Sequence, residues 1–217
     1  MSNFAERFAS CGFRREAFAP VYGLAEASLA VTFPCGMEHA FGELELDADA
    51  LAAGHVRLTT GEDTHVRSVV PVGEAVDGTA VRIVGEKLAP AGSPRTSCPE
   101  QDGELADGLV GHIQVRGPSV MSGYLQTRDV GRHLGAREAT RSSEVGDGEL
   151  VVVNGWLGTG DLGFLRDGRL YVTGRAKEIL VVRGKNYAPA EFEHCLRDLD
   201  GVRPGGVAAV ARQTSAG

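Results

Sequence analysis

The chain has 217 residues, 42% of them apolar, enough to bury a sizeable core in one large domain or one and a half ordinary ones. A net charge of −7 and an aromatic content of 6% exclude a nucleic-acid platform, which needs a basic face or a row of stacked rings. No apolar run approaches the ~18 residues of a membrane-spanning helix.

The opening stretch "MSNFAERFAS" lacks a basic region followed by an apolar one, so it is not read as a secretory signal. Cys11, Cys35, Cys98 and Cys195 are scattered, with no C-x-x-C pair and no histidine at metal-ligand spacing. They read as reduced thiols of a cytoplasmic protein, and a zinc site is not expected.

The first element is a short amphipathic helix in "NFAERFASCG", with Asn3 as N-cap, Phe4 and Phe8 on one face and Gly12 as its stop. "FAPVYG" reads as a short buried strand, and "LAEASLAVTF" is compatible with helix or strand. Residues 36–64 are acidic and weakly patterned, which predicts a surface excursion.

From Val66 the pattern changes to short β runs between turn signals: "VRSVVPVG", "AVRIVG", "GHIQVRG", "ELVVV", "RLYVTG" and "ILVVRG". Their spacing predicts a small twisted barrel or sandwich. Two long polar connections interrupt them, one rich in Pro, Gly and Ser after Gly85 and one at 126–154. Asp167-Gly168 is a two-residue hairpin turn. Pro189 opens a helix in which Phe192, Cys195, Leu196 and Leu199 recur at helical spacing and which Gly201 ends, and "GVAAVA" begins another strand.

Four islands carry chemistry: "PVYGLAEASL" at 20–29, "VGHIQVRGPSVMSGYL" at 110–125, "WLGTGDLGFL" at 156–165 and "GRAKEILVVRG" at 174–184. In order and spacing they resemble the signature segments of adenylate-forming (AMP-binding, acyl-CoA synthetase) enzymes. The strings "RFASCGFRREAF" and "TGDLGFLRDGRLYVTGRAKEILVVRGKNYAPAEFE" are most similar to fatty-acyl-AMP ligases, with long-chain acyl-CoA ligases as the near alternative.

The resemblance implies an ATP-dependent, AMP-forming acyl ligase that uses Mg²⁺. A fatty acid would be adenylated, releasing pyrophosphate, and its acyl group passed to a phosphopantetheine thiol of an acyl carrier protein or of CoA. By itself Tyr22 reads as a core tyrosine at a strand end and Glu26 as a solvated glutamate. The resemblance makes Tyr22 and Gly23 nucleotide contacts, with the Tyr22 ring on the adenine. It makes Glu26 a catalytic carboxylate and the Mg²⁺ ligand.

Asp161 is not needed for the Asp167-Gly168 turn, which frees its two acceptor oxygens for ribose hydroxyls. Arg175 offers a planar fork to the same ribose or to phosphate. Lys177 stands at the family's hinge, and Arg183 and Gly184 would line the approach of the thiol arm. Three departures stand out: His112 replaces the usual glutamate, Gly158 a common basic residue, and 126–154 lacks the usual Pro-Glu helix start. His55, His65, His133 and His194 read as surface or loop residues.

The expected fold is α+β with several subdomains. Residues 1–64 would end an α/β subdomain, 65–175 form a small distorted β-barrel, and 176–217 begin a mobile C-terminal α+β domain. The family's phosphate loop should lie upstream of Phe4 and its C-terminal catalytic lysine beyond Gly217, so the chain alone is expected to be inactive. A non-catalytic nucleotide- or partner-binding paralogue is the rival expectation from another class.

Overall fold

The structure, a computed structural model, describes residues 2–34, 42–59, 65–85, 103–123, 152–182, 185–196, 199–203 and 206–210. The connection at 86–102, nearly all of that at 126–154, Cys35, Cys98, His133, Arg183 and Gly184 lie outside these residues.

The fold is mixed α/β, dominated by short antiparallel strands. Its organising element is a five-stranded sheet of β6 (Ala80–Val84), β7 (Gly111–Arg116), β9 (Trp156–Arg166) and β10 (Arg169–Arg175), with the short β8 (Val152–Val153) also on β9. β1 (Tyr22–Leu24), β2 (Leu29–Phe33) and β5 (Glu74–Ala75) form a second sheet. β3 (Leu44–Asp47) pairs with β4 (Val66–Val69), and β11 (Leu180–Val182) with β12 (Lys185–Tyr187). The described strands thus form four open sheets and no closed barrel.

Alternating side chains give the main sheet two buried faces. Ile83, Ile113, Val115 and Leu170 pack with Tyr22, Ala27 and Val31 on one side. On the other, Phe164 stacks on its cross-strand partner Tyr171, ring centroids 4.8 Å apart, among Leu46, Leu51 and Val69. The β9–β10 hairpin turns at Asp167 and Gly168, whose φ of 51° and 76° are the two positive values a type I′ turn requires.

Several expectations need correction. The first helix, α1 (Ser2–Phe8), contains Asn3 instead of being capped by it, and a 3-10 turn at Ala9–Cys11 follows before Gly12 closes at φ 82°. "LAEASLAVTF" is a 3-10 turn at Ala25–Ala27 followed by β2. Residues 36–64 are not merely a surface excursion. Leu44 and Leu46 face inward while Glu45 is exposed, and Asp47 ends the strand by accepting a 2.8 Å hydrogen bond from Ala50 N, which caps α2 (Ala48–Ala52). Leu46 and Leu51 are then buried in the second core. The acidic content hid this alternation.

Helix α3 (Pro189–Cys195) stops short of Gly201. Its backbone tightens into turns, Leu196 N donating to Glu193 O and Leu199 N to Leu196 O. Phe192 meets the Tyr187 ring at 5.5 Å, but Phe192, Leu196 and Leu199 remain 40%, 41% and 54% exposed. The apolar stripe is thus only partly covered among the described residues and gives the helix little to extend along. "GVAAVA" is no strand: residues 206–210 join no ladder, and Ala209 N donates to the Glu193 side chain.

Candidate functional site

The T-G-D island is a large bulge. Along β7, His112 faces Leu162 and Gln114 faces Gly158, so two steps of β7 oppose four steps of β9. Thr159, Gly160 and Asp161 are thereby left out of the β7–β9 ladder, a device that re-aims side chains at sheet rims. Gly160 takes φ 76°, which an L side chain adopts at a cost. The Thr159 hydroxyl closes the bulge by donating to Ile113 O (3.0 Å) and accepting from Asp161 N (3.1 Å). Thr159 was not singled out from the sequence; its presence in the T-G-D string was the available signal.

The bulge carries Asp161 to the edge of the core, where each carboxylate oxygen meets one partner. The Tyr22 hydroxyl donates to Oδ2 at 2.6 Å, and Arg175 Nε lies 3.4 Å from Oδ1. Arg175 is also the cross-strand partner of Asp161 in the β9–β10 ladder. The Asp161 side chain is 16% exposed and that of Arg175 69%, so the carboxylate is held at the wall while the guanidinium reaches into solvent.

Tyr22 is anchored from both ends. Its ring is buried in the first core cluster, and its backbone N–H donates to Thr32 Oγ1, which itself donates to Val72 O. Burial, then the hydrogen bond to Asp161, push the phenol well above its ordinary pKa, so it stays protonated and acts as a donor. The hydroxyl, not the ring face, is the part of Tyr22 that meets Asp161.

Glu26 sits in the 3-10 turn after β1, half-buried. Its carbonyl accepts from Met121 N (2.8 Å) and the neighbouring Ser28 hydroxyl donates to Ser119 O (3.2 Å), so this turn rests on the glycine-rich segment. Ser28 and Leu29 take φ of 58° and 105°. Such left-handed backbone costs on the order of 1–3 kcal/mol and gathers near binding sites. Gly23 has a packing reason of its own: a Cβ there would stand 1.7 Å from Leu29 O across the β1–β2 hairpin.

All four islands therefore touch. The first meets the second through Glu26 and Met121, the third through Tyr22 and Asp161, and the fourth joins through Arg175. Tyr22, Asp161 and Arg175 form the bonded set. Gly23 and Glu26 follow Tyr22 along the chain, and Lys177 lies exposed in a 3-10 turn (Ala176–Glu178) just past Arg175. His112 lies within β7 on the ladder to Leu162, and His65 is on the surface 3.6 Å from Asp49.

Among the described residues, no three His, Cys, Asp or Glu side chains gather to hold a metal by themselves. One carboxylate such as Glu26 suits Mg²⁺ that keeps water and substrate phosphate oxygens as its other ligands. No helix of the described residues is long and apolar enough to cross a membrane.

No family model matches the chain. A medium-chain-fatty-acid–[acyl-carrier-protein] ligase of Teredinibacter turnerae is 32% identical over 92% of the chain, and a long-chain-fatty-acid–AMP ligase of Mycobacterium tuberculosis 30% identical over 92%. A solved structure from work on fatty acyl-adenylate ligases of E. coli and L. pneumophila superposes with a TM-score of 0.71 at 32% identity over 94% of the chain. The chain spans 28%, 30% and 31% of these three proteins, less than a third of each. By its islands, by the contacts that join them and by these likenesses, the chain belongs to the adenylate-forming enzyme superfamily, close to the fatty-acyl-AMP ligases.

Proposed function

We propose that this chain supplies the ribose-binding wall of a site for ATP-dependent adenylation of fatty acids. The observation that carries the reading is the presentation of Asp161: a bulge frees it from pairing with β7, Tyr22 and Arg175 flank its two oxygens, and its side chain retains 16% exposure. A carboxylate held this way accepts hydrogen bonds from a vicinal diol, the recognition element of a ribose. Tyr22 and Gly23 flank the adenosine, and Arg175 reaches the ribose or the phosphate side. Glu26 would hold Mg²⁺ together with the triphosphate, where the cation neutralises phosphate charge.

In the reaction so proposed, a fatty carboxylate attacks the α-phosphate of ATP and pyrophosphate leaves, giving acyl-AMP. The acyl group then passes to a thiol with release of AMP. The relative named as an acyl-carrier-protein ligase supports the phosphopantetheine thiol of a carrier protein as acceptor, with CoA as the alternative. Residues 1–64, 65–175 and 176–217 are proposed as parts of three subdomains, with Lys177 at the pivot between the last two. Support for the pivot is local: the chain leaves β10 at Arg175 through one short 3-10 turn and enters a separate two-stranded sheet.

Calorimetric titration with AMP and with its 2′,3′-dideoxy analogue tests the reading. AMP should bind at least about tenfold more tightly, the worth of one hydrogen bond to a charged group. Equal affinities would remove the ribose from the site.

A further inference from the structure

Away from the Tyr22–Asp161 site, the main sheet carries a second constellation that the proposed adenylation does not use. Arg82 on β6, Gln114 and Arg116 on β7, and Trp156 at the start of β9 share one face. It is the face turned away from Ile83, Ile113, Val115 and Leu157, which alternate with them and are buried. The Arg82 guanidinium carbon stands 4.1 Å from the indole centroid and that of Arg116 4.6 Å. Gln114 is only 3% exposed, and its Oε1 accepts from Arg82 Nε (2.9 Å) and Nη2 (2.7 Å), which fixes that fork against the ring.

Placing two guanidinium groups over one indole brings like charges together, a cost that the ring quadrupole offsets only in part. Neither arginine forms an ion pair with a carboxylate of the described residues, although the chain as a whole carries a net charge of −7. Stacking uses the flat face of a guanidinium and leaves in-plane N–H groups to point outward. Tryptophan and arginine together are also the composition of an interface hot spot. Small-molecule sites are concave, whereas this group lies on a sheet face with Arg116 exposed.

We propose that this face docks an acidic segment of a partner protein. Arg82 and Arg116 take its carboxylates, and Trp156 supplies the apolar contact between them. Charge complementarity is the basis for choosing this occupant.

Trp156 is the single tryptophan of the chain, so its emission reports on the patch directly. The chain is titrated with a short glutamate-rich peptide, with a lysine-rich peptide and inorganic phosphate as comparators. The expected result is a saturable emission change with the glutamate peptide alone, weakening as salt rises. Followed by anisotropy of the labelled peptide, Arg116→Ala should bind about tenfold more weakly. Arg116→Glu should abolish binding, and both variants should keep wild-type melting temperatures. No saturable change, unchanged affinity in Arg116→Ala, or the same response to phosphate would each overturn the proposal.

Discussion

The Tyr22 hydroxyl donates a 2.6 Å hydrogen bond to Asp161 Oδ2 across 139 positions of sequence. Together with Arg175 on the other oxygen, it fixes how the carboxylate faces the rim. In Tyr22→Phe the ring and its packing remain and only this donor goes. Affinity for AMP should fall about tenfold because the carboxylate loses a donor that orients it, and stability should fall by about 1.5–3 kcal/mol because the lost bond is to an ionised group. Calorimetry and urea unfolding read the two effects separately. A loss of stability with unchanged AMP affinity would make the hydroxyl a purely structural group.

The same phenol gives a pH dependence. Burial, then the Asp161 hydrogen bond, raise Tyr22 above the ordinary tyrosine value of 10.0, and burial raises Tyr171 as well. Above that pH the unfolded chain loses phenolic protons that the folded chain keeps, so stability falls as pH rises. The contribution is complete below pH 10 and is lost progressively above it. Thermal melts across the alkaline range should show this decline, and Tyr22→Phe should flatten part of it.

Thr159 is predicted to act through Asp161 rather than on ligand. Thr159→Val keeps shape but removes the hydroxyl's hydrogen bonds to Ile113 O and from Asp161 N. The bulge should then loosen, costing about 1–3 kcal/mol of stability because a partly buried carbonyl and amide lose their partner. AMP affinity should fall as well. Thr159→Ser should restore both properties, which urea unfolding and calorimetry on the two variants will show.

A clasp ties the C-terminal segment to the sheet. Arg67 of β4 donates to Glu191 Oε1 of α3 (2.8 Å) and to Thr173 O at the end of β10, while Glu191 also accepts from Ala188 N to cap its own helix. Arg67→Ala should speed amide exchange in α3 by more than it lowers global stability. With Glu191→Ala it should be non-additive, with a coupling of about 1 kcal/mol. Additive effects would show that the two side chains act independently.

Local chemistry was the legible part of this chain. Asp167-Gly168 announces its hairpin, Pro189 its helix, and the Val- and Ile-rich runs their strands. The bulge at Thr159–Asp161 was not legible as such, because it depends on the Ile113 carbonyl of another strand. Nor was the role of the Tyr22 hydroxyl, which depends on a contact between distant segments. β3 and α2 were missed because Glu45 and Asp47 made a half-buried strand look like an acidic surface. Leu196 and Leu199 misled in the opposite sense, carrying a helical period yet staying about half exposed among the described residues.

Asp161 is the residue on which the proposed ribose wall depends most. Equilibrium titration of the wild-type chain and Asp161→Ala with a non-hydrolysable acyl-adenylate analogue tests it directly. The prediction is saturable binding by the wild type and affinity weaker by about a hundredfold in the variant, as expected when two hydrogen bonds to a charged group are lost. Equal affinity in the two proteins, or no binding by the wild type, would contradict the account.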